Sequence, residues 1–194
     1  QVGQHKWVMS FDLNSLYPHL IMQYNMSPDT MIPKIYPQEI NVKKLLEGEV
    51  DTSMLTTSTV TPNGALFSTK KQGFLPELLE EMYDQRVLFK NKMIESQKRL
   101  ETIPKDDLIN RKKCEYEIVK YNNNQMVRKI SLNSAYGALG NQYFRYFNRR
   151  IAEGITMSGQ LSIKWVERAV NDYLNKLLES DKDYVVAIDT DSIY

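Results

Sequence analysis

The residues of this chain best suited to chemistry are carboxylates placed at the ends of apolar, β-prone runs. Tyr184, Val185, Val186, Ala187 and Ile188 lead straight into Asp189-Thr190-Asp191-Ser192, after which Ile193-Tyr194 resumes β character. This pattern predicts a buried strand, a tight turn built from Asp and Ser, and a second strand: a hairpin with acids at its tip. Residues i and i+2 of an extended chain point to one side about 6 to 7 Å apart, so Asp189 and Asp191 could converge on one cation. An Asp-x-Asp turn at the surface is usually just a solvated loop, and the motif alone is weak evidence for a metal. Residues 6–11 form a second apolar strand candidate, and it delivers Asp12 at its end. If both strands share a sheet, as short connections favour, the acids meet.

The elements around Asp12 favour anions. Asn14 or Ser15 can cap a short helix whose apolar positions are Leu16, Leu20, Ile21 and Tyr24, with Pro18 confining the start to within a turn. Unsatisfied N–H groups at such a turn could hold phosphate beside the acid, or the turn could be a plain capped helix. Pro76 opens a helix predicted over 77–100, and Pro104 breaks it. Asp106 or Asp107 then starts a second helix that runs to Tyr136, where Gly137 supplies a stop. Two long antiparallel helices make a projecting hairpin. Arg86 and Lys90 stand at i, i+4 on the first helix; Lys129, Asn133 and Tyr136 stand at i, i+4, i+7 on the second, followed by Gly137. That face carries a cation, an amide and a phenol where a core stripe would be apolar, although Lys-rich helix faces are commonly just solvated.

The remaining segments read as support. Residues 25–37 are rich in Pro and turn formers, and 40–55 give a short helix and a loop. Residues 58–69 alternate around Pro62-Asn63-Gly64, the strongest short hairpin signal, and are predicted to be an edge ribbon. Residues 140–150 are aromatic and basic, a composition suited either to packing beneath a sheet or to contact with a phosphate backbone. Residues 151–178 are a long helix in which Gly154, Ser158 and Gly159 permit close approach of a neighbour.

At 194 residues and 42% hydrophobic, the chain can bury one sizeable core, with or without a projecting subdomain. No apolar run approaches the roughly 20 residues of a membrane span, and the first residues have no signal-peptide character. The single Cys114 excludes an internal disulfide and a cysteine zinc site. The net charge of +1 does not announce nucleic acid, but Lys and Arg crowd the region between Arg86 and Lys129. The first residue is not Met and the chain stops as a hairpin's second strand begins, so a fragment of a longer protein is expected.

The ordered motifs resemble those of the family B DNA polymerases. Asp12-Leu13-Asn14-Ser15-Leu16-Tyr17-Pro18 is similar to that family's first palm motif, Lys129-Ile130-Ser131-Leu132-Asn133-Ser134-Ala135-Tyr136-Gly137 to its fingers motif, and Asp189-Thr190-Asp191-Ser192 to its third motif. The stretch from Asn133 to Tyr146 and the run Asp84-Gln85-Arg86 are most similar to replicative polymerases of T-even-type phages. Ile188 departs from the Gly usual before Asp-Thr-Asp, and the fingers hairpin is shorter than in those relatives.

The resemblance implies an α+β fold: an antiparallel palm sheet backed by helices, with a projecting two-helix fingers hairpin, incomplete at both ends. Residues 1–75 would be the first part of the palm, 76–138 the fingers and 139–194 the second part of the palm. It implies template-directed DNA synthesis by a two-metal mechanism, with Asp12, Asp189 and Asp191 catalytic. Asp12, Asp191 and the Leu13 carbonyl would bind two Mg²⁺ ions. Ser15, Leu16, Arg86, Lys90, Lys129 and Asn133 would bind the nucleotide, Tyr17 would exclude a 2′-hydroxyl, and Tyr136 and Gly137 would contact the base pair or primer-template. Partners would be primer-template DNA and dNTPs, with a missing C-terminal polymerase segment and a sliding clamp as further candidates, in the cytoplasm of an infected bacterial host. A protein-primed phage polymerase and a non-catalytic or split-polymerase nucleic-acid-binding segment remain the alternatives.

Overall fold

A computed structural model of the chain describes residues 3–194; residues 1 and 2, the predicted start of the first palm part, lie outside the described residues. The element order is β1 (Phe11–Asp12), α1 (Leu16–Gln23), β2 (Met31–Ile35), α2 (Val42–Leu46), β3 (Ser58–Val60), β4 (Ala65–Ser68), α3 (Phe74–Thr102), α4 (Leu108–Leu139), α5 (Arg149–Leu178), β5 (Ile188–Asp189) and β6 (Ser192–Ile193). The strands form two antiparallel three-stranded sheets, ordered β1-β6-β5 and β2-β4-β3. The class is α+β, as the sequence predicts. Among the described residues no helix is long and apolar enough to cross a membrane.

One core joins the second sheet to four helices. Ile21 of α1, Ala65 and Phe67 of β4, Leu75 and Leu79 of α3, Leu132 and Leu139 of α4, and Ile151 and Ile155 of α5 are buried together. Each large side chain contributes about 1.5 to 3 kcal/mol through the apolar surface it removes from water. A smaller cluster of Ile163, Val185 and Ile193, with Leu13 and Ile188 against it, seats the first sheet on α5.

Several predicted boundaries shift for physical reasons. The strand expected over 6–11 is reduced to Phe11–Asp12, because Trp7, Met9 and Phe11 stay exposed and nothing among the described residues pairs with the outer edge of β1. The strand expected over 184–188 keeps regular pairing only at Ile188–Asp189, although Val186 N–H donates to Tyr194 O at 2.7 Å and Tyr194 N–H to Ala187 O at 2.9 Å. Residues 31–35, read as turn-rich scaffold, form β2 instead, and the ladder shifts register between Ile32 and Ile35, where Pro33 has no N–H to offer. The 58–69 hairpin, expected as an edge ribbon, does put β3 at an edge, but β4 is the central strand of its sheet. Helix α3 begins at Phe74, two residues before Pro76, whose missing N–H falls in the first turn where no intrahelical acceptor exists. Helix α4 runs through Gly137 and ends at Leu139 with Gly140 as its cap. Burial of Leu139, 1% exposed, offsets the roughly 1 kcal/mol that Gly costs inside a helix.

The root of α3 is fastened by Asn25 together with Ser27, whose Oγ accepts from Leu75 N–H at 3.5 Å, and Asp29, which takes a backbone hydrogen bond from Phe74. Asn25, in the left-handed region at φ 56°, donates from Nδ2 to Ser68 O at 2.7 Å and Lys71 O at 2.8 Å, and its Oδ1 accepts from Gly73 N–H at 2.8 Å. Its own carbonyl accepts from the Thr30 hydroxyl at 2.6 Å. The end of α1, the end of β4 and the start of α3 thus share one side chain.

Candidate functional site

The two acid-bearing strands do share a sheet. Asp12 of β1 and Asp189 of β5 both lie opposite Ser192 of β6, whose hydroxyl donates to Asp12 Oδ1 at 3.2 Å. Thr190 adopts φ 48°, so the chain reverses between Asp189 and Asp191. The two acids therefore do not follow the i, i+2 geometry of an extended strand; that expectation fails because the turn lies between them. Leu13 N–H donates to Asp191 O at 2.7 Å, which locks the carboxylate turn against the segment carrying Asp12.

That segment continues into α1 through an unusual start. Ser15 occupies the N-cap position at φ 52° and ψ 48°, and its side chain makes no capping bond. Its hydroxyl instead accepts from Arg86 Nη1 at 2.9 Å and donates to Asn14 Oδ1 at 3.3 Å, while Asn14 Nδ2 donates to Tyr83 Oη at 3.3 Å. The predicted cap thus holds α3 and leaves the first N–H groups of α1 without a side-chain partner.

These pieces surround a cavity of about 450 Å³. Asp12, Asp191 and Thr190 line it from the sheet, Asn14, Ser15, Leu16, Tyr17 and Pro18 from the α1 turn, Arg86 from α3, and Lys129 and Asn133 from α4. Among the described residues none of the ion pairs involves Asp12, Asp191, Arg86 or Lys129, and Arg86 Nε is buried with no hydrogen-bond partner. Acids and cations share one cavity without neutralising each other, so a ligand carrying both signs, such as a polyphosphate with hard cations, would satisfy both.

Tyr17 forms one wall. Its ring packs on Tyr136 with centroids 4.8 Å apart. Burial, then the Tyr136 phenol and the Asp191 charge, push the Tyr17 hydroxyl above its ordinary value, which keeps it protonated and uncharged at neutral pH. Behind the cavity, Arg128 Nε donates to Gln85 Oε1 at 2.8 Å and its guanidinium lies 4.5 Å from the Phe89 ring centre. This contact fixes α4 against α3 beside the two cations that enter the cavity.

Of the sequence-predicted residues, Asp12, Ser15, Leu16, Tyr17, Arg86, Lys129, Asn133 and Asp191 line the cavity. Tyr136 reaches it through Tyr17. Asp189 does not line it and accepts from the Thr190 hydroxyl at 3.1 Å. The Leu13 side chain packs in the small core beneath the hairpin, and Lys90 and Gly137 are exposed outside the cavity. Among the described residues no group of three His, Cys, Asp or Glu could hold a metal ion. Asp12 and Asp191 are nevertheless hard oxygen donors facing one space, and Mg²⁺-type ions draw the rest of their shell from water and substrate phosphates. Sequence reasoning missed Asn14, Thr190 and Pro18 as lining residues, though all sit inside the quoted motifs. It also missed Tyr83 and Arg128, whose roles are long-range and leave no local signal.

Asp12 and Asp191, carried by an antiparallel sheet, thus share one cavity with Arg86 and Lys129 of a helical hairpin. The model of DNA polymerase family B matches residues 3–194, and the chain belongs to that family. It is 34% identical over 227 residues to the DNA-directed DNA polymerase of Enterobacteria phage T4, an alignment covering 97% of this chain and 25% of that protein. Against the DNA-directed DNA polymerase of Escherichia phage RB69 the identity is 32% over 230 residues, covering 99% and 25%. DNA polymerase 1 of Pyrococcus abyssi is 29% identical over 192 residues, covering 99% and 20%. The chain therefore spans a quarter or less of the length of these relatives.

Proposed function

We propose that these residues are the palm and fingers of a DNA-directed DNA polymerase that transfers deoxynucleotidyl groups from dNTPs to a primer 3′-hydroxyl. Residues 1–75 and 139–194 form the palm in this reading and 76–138 the fingers. The observation that carries it is the cavity in which Asp12 and Asp191 stand opposite Arg86 and Lys129 with no ion pair between them. Asp12 and Asp191 would hold the divalent ions, in the family's manner two Mg²⁺, and such ions would supply Lewis-acid chemistry to the phosphoryl transfer. Arg86 and Lys129 bind the outer phosphates, and Lys90, one turn along α3 and outside the cavity, adds a further cation on that side. The free N–H groups at the start of α1, around Ser15 and Leu16, hold phosphate oxygens, since a helix N-terminus favours negative charge. Tyr17 lies beneath the sugar and excludes a 2′-hydroxyl, and Asn133, Tyr136 and Gly137 face the base pair or primer-template. Asp189 supports the turn rather than the ions.

Primer extension by the complete polymerase polypeptide tests this. Asp12→Asn and Asp191→Asn should abolish Mg²⁺-dependent extension, whereas Asp189→Asn should retain part of it. Equal loss in all three, or Mg²⁺-dependent extension surviving loss of Asp191, would refute the ligand assignment. Residues 1–194 by themselves should not extend a primer, because the acid-bearing sheet consists of three two-residue strands and its outer strand β1 leaves Phe11 exposed.

A further inference from the structure

Helix α5 contains a glycine that its backbone does not require. Gly159 is buried in the middle of α5 with ordinary helical φ, where Gly is worth about 1 kcal/mol less than Ala. Gly137 in α4 would find nothing within 4 Å of an added Cβ. At Gly159 an added Cβ would stand 2.9 Å from Tyr17 Cε1, while the next nearest atoms, Leu16 Cδ2 at 3.6 Å and Tyr17 Cδ1 at 3.7 Å, are in ordinary contact. The single obstacle to a side chain is thus the edge of the Tyr17 ring. That ring is bounded by Tyr136 at 4.8 Å, by α5 behind it, and by the cavity it lines. Its open side is the cavity.

We propose that Gly159 is a positioning residue for sugar selection: the missing side chain sets how far the Tyr17 ring stands back from the nucleotide. This rests on the reading of Tyr17 as the wall that excludes a 2′-hydroxyl. Any Cβ at 159 drives the ring forward by about 0.5 Å, the difference between 2.9 Å and the onset of ordinary contact near 3.4 Å. The space left for a deoxyribose shrinks, and a ribose is rejected at least as strongly.

The test is single-nucleotide incorporation of matched dNTP and rNTP pairs by the complete polymerase polypeptide carrying Gly159→Ala, Tyr17→Ala, or both. A misplacement of about 1 Å costs roughly 10²-fold, so half of that should lower kcat/KM for dNTPs by roughly tenfold in Gly159→Ala, without relaxing the dNTP/rNTP ratio. Tyr17→Ala should relax that ratio, and adding Gly159→Ala to it should change nothing further, because the obstructing ring is gone. If Tyr17→Ala leaves the ratio intact, the sugar-wall reading itself is wrong. If Tyr17→Ala relaxes the ratio but Gly159→Ala leaves dNTP kcat/KM unchanged, relaxes the ratio, or acts equally in both backgrounds, the positioning role is overturned. Should Gly159→Ala fail to fold, its melting temperature must be restored by Tyr17→Ala; failure of the double variant to recover would place the clash elsewhere and end the proposal.

Discussion

Arg128→Ala should loosen the helical hairpin without touching the cavity. The guanidinium makes a hydrogen bond to Gln85 Oε1 at 2.8 Å, lies 4.5 Å from the Phe89 ring centre, and returns a bond from Nη1 to Asn124 O at 3.0 Å within its own helix. Only the first two cross between α3 and α4. A hydrogen bond to a charged group is worth about 1.5 to 3 kcal/mol, taken at the low end because Arg128 is half-buried. A cation–π contact at such a site adds about 0.5 to 1 kcal/mol. The loss should therefore be about 2 kcal/mol, which for a domain of this size lowers Tm by roughly 4 to 8 °C and weakens amide protection in the paired helices by roughly 30-fold. Gln85→Ala removes only the hydrogen bond and should lose less, and the double variant should fall short of additivity because the residues touch. Hydrogen exchange resolved along α3 and α4, with thermal melts, measures all of this. Unchanged protection in both helices with Arg128→Ala would refute the idea that this contact holds the hairpin together, as would full additivity with Gln85→Ala.

Three further outcomes can be checked. Gly73→Ala should destabilise by about 1 to 3 kcal/mol, read by denaturant unfolding, because its Cβ would stand 2.6 Å from Ser27 Cβ and 3.0 Å from Thr30 Cγ2. Asp29 feels partial burial, which raises its pKa, but the Ser27 hydroxyl, backbone N–H groups of Asp29 and Phe74, and Lys71 outweigh this and hold the carboxyl below its ordinary value. The folded state then binds fewer protons, so this stabilisation is present above about pH 4 and is lost as pH falls; Asp29→Asn should flatten the acid limb of a Tm-against-pH curve, and an unchanged slope would contradict it. In the complete polypeptide, Lys129→Ala should lower kcat/KM for every dNTP by roughly 10- to 150-fold, the equivalent of a lost charge-assisted contact, with the dNTP/rNTP ratio unmoved in the same incorporation assay.

The sequence made the helices and the acids legible because each has a local signature. The 3.6-residue period and flanking prolines place α3 and α4 to within a few residues, and an Asp after an apolar run marks both strand ends. What it could not show is what depends on partners far along the chain. Pro33 reads as a break until β4 supplies a strand that tolerates its missing N–H. Gly137 reads as a stop until Leu139 finds a core to enter. Ser15 reads as a cap, but its hydroxyl is claimed by Arg86, 71 residues away. By spacing alone the two acids of Asp189-Thr190-Asp191 read as equivalent, and only the resemblance set Asp191 apart as a ligand; the left-handed Thr190 gives the two different surroundings. Gly159 reads as a residue permitting close approach, and only the fold names Tyr17 as the neighbour.

The fastening of α3 by Asn25 has a mechanical consequence. Arg86 lies 13 residues beyond Gly73 on a helix rising about 1.5 Å per residue, so its Cα stands about 20 Å from the root. A tilt of about 3° at that root, less than the bend many long helices carry, would sweep Arg86 sideways by about 1 Å, and the far end at Thr102 by about 2 Å. The helix is a lever whose fulcrum is the polar cluster of Asn25, Ser27 and Asp29 and whose working point is a guanidinium. An Asn25→Asp exchange, which swaps the amide's two donated bonds for a charge facing the Ser68 and Lys71 carbonyls, would re-aim Arg86 from a distance at which no cavity atom is touched.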